Sequence, residues 1–156
     1  MKTRIFFDIL EEDPLYGKTI DYLLARIRNP DPGSEFEKRT EGIRHLSDSE
    51  LLQILREQDY DAMIAYDGKE ICGYVAFQKH EDGLHVFSFY VDEEYRGKLI
   101  LIKHLIEAFL EYRQREDARV KMSSGNNKQT KSLVNFLALK SKKYRICVNR
   151  ETCWID

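Results

Sequence analysis

The sequence predicts an α/β protein with a mixed, mostly antiparallel sheet of about seven strands flanked by about four helices. Three observations lead there. Short runs of Val, Ile, Phe and Tyr are separated by Asp-Gly turns. Other segments carry apolar residues at helical spacing. One such segment lies between two strand-like runs, and a strand–helix–strand unit brings at least one parallel pair into the sheet. With 156 residues, 42% apolar and 12% aromatic, the chain can close a core, which excludes a disordered chain and leads us to expect one domain over residues 1–156.

The elements follow in order. Arg4 to Leu10 reads as a strand. Leu15, Ile20, Leu23, Leu24 and Ile27 then mark a helix face that ends before Pro30-Asp31-Pro32-Gly33. Ser47-x-x-Glu50 has the form of a capping box and opens a short helix with Leu51, Leu52, Ile54 and Leu55. Strands over Ala62 to Tyr66, Ile71 to Gln78 and Leu84 to Val91 are divided by Asp67-Gly68 and Glu81-Asp82-Gly83, so an antiparallel meander is the simplest pairing. A longer helix runs from about Gly97 to Glu116 on Ile102, Leu105, Ile106 and Phe109. After a strand at Val120 to Ser123, a second amphipathic helix carries Leu133, Phe136 and Leu137, and strands at Arg145 to Val148 and Thr152 to Ile155 close the chain.

Charge is unevenly spread. The whole chain is net −2, yet Arg113 to Arg150 holds 11 basic and 2 acidic residues, net +9, which leaves net −11 elsewhere. A general polyanion binder of the histone kind is therefore excluded. Cys72, Cys147 and Cys153 match no zinc-ribbon or redox spacing and read as buried thiols. No apolar run approaches a membrane span or a secretory leader, so a soluble cytoplasmic protein with no membrane partner is expected.

One junction carries chemistry. Phe89-Tyr90-Val91-Asp92-Glu93-Glu94-Tyr95-Arg96-Gly97-Lys98 joins a strand end to an acidic turn and a basic, glycine-containing helix start. Free amides at a helix N-terminus, its partial positive charge, Arg96 and Lys98 together suit a phosphate or pyrophosphate. On local grounds the same residues also serve as an ordinary helix start.

The junction and the element order together resemble the GNAT superfamily of acyl-CoA-dependent N-acyltransferases, over nearly the whole chain. In that family Arg or Gln-x-x-Gly-x-Gly or Ala follows the strand, and its amides hold the coenzyme A pyrophosphate. Here the segment reads Arg96-Gly97-Lys98-Leu99-Ile100-Leu101, with Leu99 and Leu101 in place of the signature small residues. The resemblance implies acetyl-CoA as co-substrate, held at Arg96, Gly97, Lys98, Leu99, Ile100 and Leu101. It also implies a strand that splays at a bulge and binds the pantetheine arm through the backbone at Phe89 and Val91, while the side chains of Phe87, Phe89 and Val91 pack inward.

His85 lies six residues before Val91, where the histone-acetyltransferase branch has a Glu that removes the acceptor's proton. Imidazole, of reference pKa about 6.5, can do the same directly or through water, and it can equally be a partly exposed hydrogen-bonding residue. His80 and His104 are weaker candidates for that role. Phe136 stands where the family places the Tyr that protonates the departing thiolate, which leaves Tyr144 as the candidate acid or as an aromatic opening the next strand. Lys128, Lys131, Lys140, Lys142, Lys143 and Arg145 suit coenzyme A phosphates, nucleic acid or a solvated helix face, and poor aromatic interleaving makes nucleic acid the minority reading.

The resulting expectation is an N-acetyltransferase moving acetyl from acetyl-CoA to an amine, with a catalytically inactive GNAT-fold module for a protein or nucleic-acid partner as the alternative. Asp31, Glu35, Glu37 and Glu41 outnumber Lys38 and Arg39 in the loop expected to shape the acceptor pocket. That charge points to a cationic small-molecule or peptide amine. Oligomerisation is left open.

Overall fold

A computed structural model gives the fold, describing residues 1–123 and the strand backbones of 146–148 and 152–155. Strand β1 (Lys2–Ile5) is followed by α1 (Tyr16–Arg28), α2 (Glu35–Thr40) and α3 (Asp48–Glu57). Then come β2 (Tyr60–Asp67), β3 (Glu70–His80), β4 (Gly83–Val91), α4 (Leu99–Arg115), β5 (Val120–Ser123), β6 (Ile146–Val148) and β7 (Thr152–Ile155). These strands make one 7-stranded sheet in the order β1-β2-β3-β4-β5-β7-β6. Every pairing is antiparallel except β4 with β5, which is parallel. The mixed, mostly antiparallel sheet is thus as expected. The helix expected around Leu133 to Leu137 lies outside the described residues.

Two local differences have physical causes. The first strand stops at Ile5 instead of reaching Leu10, because the buried Asp61 carboxylate accepts the Phe7 amide at 3.2 Å and the chain turns through a short 3-10 segment at Phe6–Asp8. Phe6 and Ile9 are thereby placed in the core. A helix not expected from the sequence, α2, starts at Ser34, whose Oγ accepts the Glu37 amide at 3.0 Å while the Glu37 carboxylate accepts the Gly33 amide at 3.1 Å. At α3 the expected cap is present, with the Glu50 amide donating to Ser47 Oγ.

The sheet buries both faces. On one, Phe77, Leu84, Val86, Phe89 and Val91 pack against Leu105, Ile106 and Phe109 of α4. On the other, Ile64, Tyr66 and Tyr74 meet α1, and Leu24, Ile27 and Leu51 join α1 to α3. Phe77, fully buried, has its ring centroid 5.5 Å from Phe109 and 5.7 Å from Tyr112, which ties the middle of the sheet to α4. Between β3 and β4 the chain needs Gly83, at φ +135°, because a Cβ there would lie 2.1 Å from the Arg119 carbonyl oxygen. That oxygen accepts the Leu84 amide at 2.7 Å, so the start of β4 is pinned beside the start of β5.

Candidate active site

Strand β4 is split between two partners. Its ladder to β5 covers only Leu84–Val120, His85–Lys121 and Val86–Met122, although β4 continues to Val91. On its other edge β3 follows it throughout, with a bulge: Phe77 pairs with Val86 and Ala76 with Ser88, so Phe87 is the extra residue. Beyond Val86, among the described residues, no strand lies along the edge of β4 that faces β5. The bulge also resets the alternation of side chains. Phe89 and Val91 face α4 while Phe87 packs with the α1 and α2 side, so all three pack inward, as expected, but against opposite faces of the sheet.

Past the strand, Glu93–Tyr95 forms a single 3-10 turn over the buried Tyr95 ring, and Arg96 to Ile100 are exposed. The first helical bonds of α4 are those of Leu101 and Ile102 to the Lys98 carbonyl. Among the described residues the Gly97, Leu99 and Ile100 amides have no main-chain partner, and a Cβ at Gly97 would meet nothing within 4 Å. Arg96 folds back, its Nε donating to the Val91 carbonyl oxygen at 2.9 Å and its guanidinium lying 5.6 Å from the Tyr90 ring centroid. The two substituted positions differ. Leu99 is 77% exposed, whereas Leu101 packs against the α4 core. The open donors fit an anionic group at this helix start.

On the opposite side of β4, α1 contributes groups that the sequence did not single out. The Tyr22 hydroxyl donates to Asp92 at 2.8 Å, and the Arg26 guanidinium sits 3.7 Å over the Tyr90 ring. Burial, then the neighbouring Asp92 carboxylate, push the Tyr22 phenol far above its ordinary range, and burial raises Asp92 itself. Tyr74 and Ser88 hydroxyls meet at 3.4 Å beside them. An open recess of about 430 Å³ is lined by Tyr90, Asp92, Glu93 and Glu94. Two of the four carboxylates expected to charge the acceptor loop are matched by arginines, Asp31 with Arg26 at 3.5 Å and Glu35 with Arg39 at 3.2 Å. Arg39 also spans Phe87 at 4.7 Å. The concentrated acid is therefore at the end of β4.

His85 is partly buried on β4, its Nε2 2.6 Å from Asp82 and its ring stacked on His80 with centroids 3.9 Å apart. Phe89 is four positions further along the strand, about 13 Å of rise, so the two are on one strand but not in contact. His104 is exposed on α4. Tyr144, and the basic residues from Lys128 to Arg145, lie outside the described residues.

The site thus joins an antiparallel meander, one short parallel pair and a helix start with open donors. The model of the acetyltransferase (GNAT) family matches residues 22–131, and the chain belongs to that family. Solved structures show the same fold at low identity. Tetrahymena GCN5 superposes with a TM-score of 0.55 at 12% identity, covering 99% of this chain and 94% of that one. An acyl-CoA N-acyltransferase from Pseudomonas aeruginosa gives 0.54 at 12%, covering 99% and 97%. The PaiA N-acetyltransferase from Thermoplasma acidophilum, solved with coenzyme A, gives 0.50 at 12%, covering 100% and 99%. No curated protein matches the sequence. Among the described residues, no helix is long and apolar enough to cross a membrane.

Proposed function

We propose that this chain, as one domain, transfers an acetyl group from acetyl-CoA to a cationic amine. The observation that carries the proposal is the opening of β4 from β5 directly before the exposed amides of Gly97, Leu99 and Ile100. Those amides and Lys98 would hold the pyrophosphate, with Arg96 fixing the loop that presents them and Leu101 supporting it from the core side. Main-chain groups of Phe89 and Val91 would take the pantetheine arm as an added strand, and the Phe89 amide would polarise the thioester carbonyl.

His85 would first take the acceptor ammonium's proton through water, because the strand holds it too far from Phe89 for direct contact. The neutral nitrogen then attacks the carbonyl carbon, the carbon–sulfur bond breaks, the sulfur leaves with the bonding pair, and the nitrogen gives up its second proton to solvent. Tyr144 would return a proton to the thiolate. A thiolate of ordinary pKa near 8.5 also departs unaided, so this step tolerates loss of the acid. Asp92, Glu93 and Glu94, around the open recess, favour a positively charged amine.

Calorimetric titration with acetyl-CoA, followed by transfer assays over cationic, neutral and anionic amines at low and high salt, tests the proposal. Binding together with a cation preference that fades as salt screens beyond about 8 Å supports it. Absence of both heat and turnover at about 1 mM co-substrate overturns it in favour of the inactive binding module.

A further inference from the structure

The β3–β4 hairpin gathers a second set of chemical groups, and we propose that His80, Asp82 and His85 bind a divalent transition-metal ion of the zinc type. Register brings them together. His80 closes β3, Asp82 is in the turn, and His85 lies opposite Gln78, two residues before His80 on the same face. One ligand atom from each residue, an imidazole nitrogen or a carboxylate oxygen, lies within 4.8 Å of the other two. The imidazole rings are stacked at 18°, and Asp82 already reaches His85 Nε2 at 2.6 Å.

Ligand type selects the ion. Two imidazoles and one carboxylate suit zinc, cobalt or nickel, whereas calcium and magnesium favour all-oxygen sets. Zinc bonds of about 2.0–2.1 Å place neighbouring tetrahedral ligands roughly 3.3 Å apart, so Asp82 and His85 need separate only slightly. His80 must rotate its Nε2 away from Gln78 Oε1, now 2.9 Å distant, and its exposure permits that. Glu81 adds a nearby negative charge, while Arg39 at Gln78 and Lys121 opposite His85 oppose a cation, which sets the expected affinity in the micromolar range. Water would complete the coordination.

A metal here takes the imidazole lone pair that the proposed function gives to the acceptor's proton, so zinc should inhibit transfer. That consequence rests on the acetyltransferase proposal; the binding does not. The full chain, stripped with a chelator, is titrated with zinc by calorimetry and with cobalt by visible absorption. One saturable site is expected, weakened about tenfold or more by His80→Ala and by Asp82→Asn, with native melting curves in both variants. No saturation below about 1 mM, or affinities within about twofold of the parent in both variants, overturns the site. Zinc inhibition of the parent but not of His80→Ala, each relative to its own metal-free rate, supports the coupling. Binding without inhibition overturns the coupling alone, and a chain without any turnover fails the acetyltransferase proposal while the metal titration still decides the site.

Discussion

Arg96 donates from Nε to the main-chain oxygen of Val91 at 2.9 Å, so the first residue of the loop motif is bonded to the last residue of the strand before it. The bond closes the acidic turn between them and fixes where α4 begins. Arg96→Ala should weaken acetyl-CoA binding by about tenfold while costing only about 1 kcal/mol of stability. Arg96→Lys keeps the charge but not the flat donor, and should recover little. Full recovery by lysine in calorimetry would show that charge, not the bond to Val91, matters.

Leu99 and Leu101 should separate cleanly. Leu99→Gly removes an exposed side chain from the helix start, with a helix-propensity loss of at most about 1 kcal/mol, and should tighten acetyl-CoA binding if the side chain crowds the anion. Leu101→Gly empties part of the α4 core and should cost about 2–4 kcal/mol in chemical denaturation. Equal destabilisation by the two substitutions would contradict the assigned directions of these side chains.

Gly73 lies where β3 passes β4, and a Cβ on it would fall 2.2 Å from the Tyr90 carbonyl oxygen. That oxygen and the Val91 Cα, 3.0 Å away, are both backbone, so neither can rotate away. Gly73→Ala should destabilise by about 2 kcal/mol or more and loosen the strand end that carries Tyr90 and Val91. A melting temperature within about 1 °C of the parent would refute this.

Asp61 gives a pH dependence with a defined sign. Burial raises its carboxyl to about 6, although the Phe7 and Ala62 amides pull the other way. The native state therefore holds this proton more tightly than the unfolded chain, and Asp61's contribution to stability is present below pH about 4 and lost as pH rises towards 6. The change amounts to roughly 2–3 kcal/mol. Asp61→Asn keeps an oxygen acceptor without the charge, so its stability relative to the parent should rise between pH 4 and 7 and level off above. A pH-independent difference in denaturant midpoints would sink the argument.

Local signals sufficed for most of the fold. The Asp67-Gly68 and Glu81-Asp82-Gly83 turns and the period of Ile102, Leu105, Ile106 and Phe109 appear as the meander and α4. Ser34-x-x-Glu37 is as good a capping signal as Ser47-x-x-Glu50, but it sits just behind Pro30, Pro32 and Gly33, whose helix-stop signal masks it. The end of β1 depends on Asp61, 54 residues away from Phe7, and no local pattern announces such a contact. For the site, the motif marks the position of the helix start, but the fold-back of Arg96 onto Val91 is a matter of turn geometry, and the crossing of Tyr22 and Arg26 over β4 exists only after α1 has packed on the sheet. His80 and His85 meet only through strand register.

The short parallel ladder also has a mechanical meaning. Three residue pairs, with the Leu84–Arg119 bond beside them, join the plate β1-β2-β3-β4 to the plate β5-β7-β6. Such a seam opens at lower free energy than the long β2–β3 and β3–β4 ladders, and amides of Val120 to Met122 should exchange with solvent before those of Ile64 or Val75. Any molecule that adds main-chain bonds along the open stretch of β4 acts as a suture across the seam, raising the melting temperature and slowing exchange in β5 together.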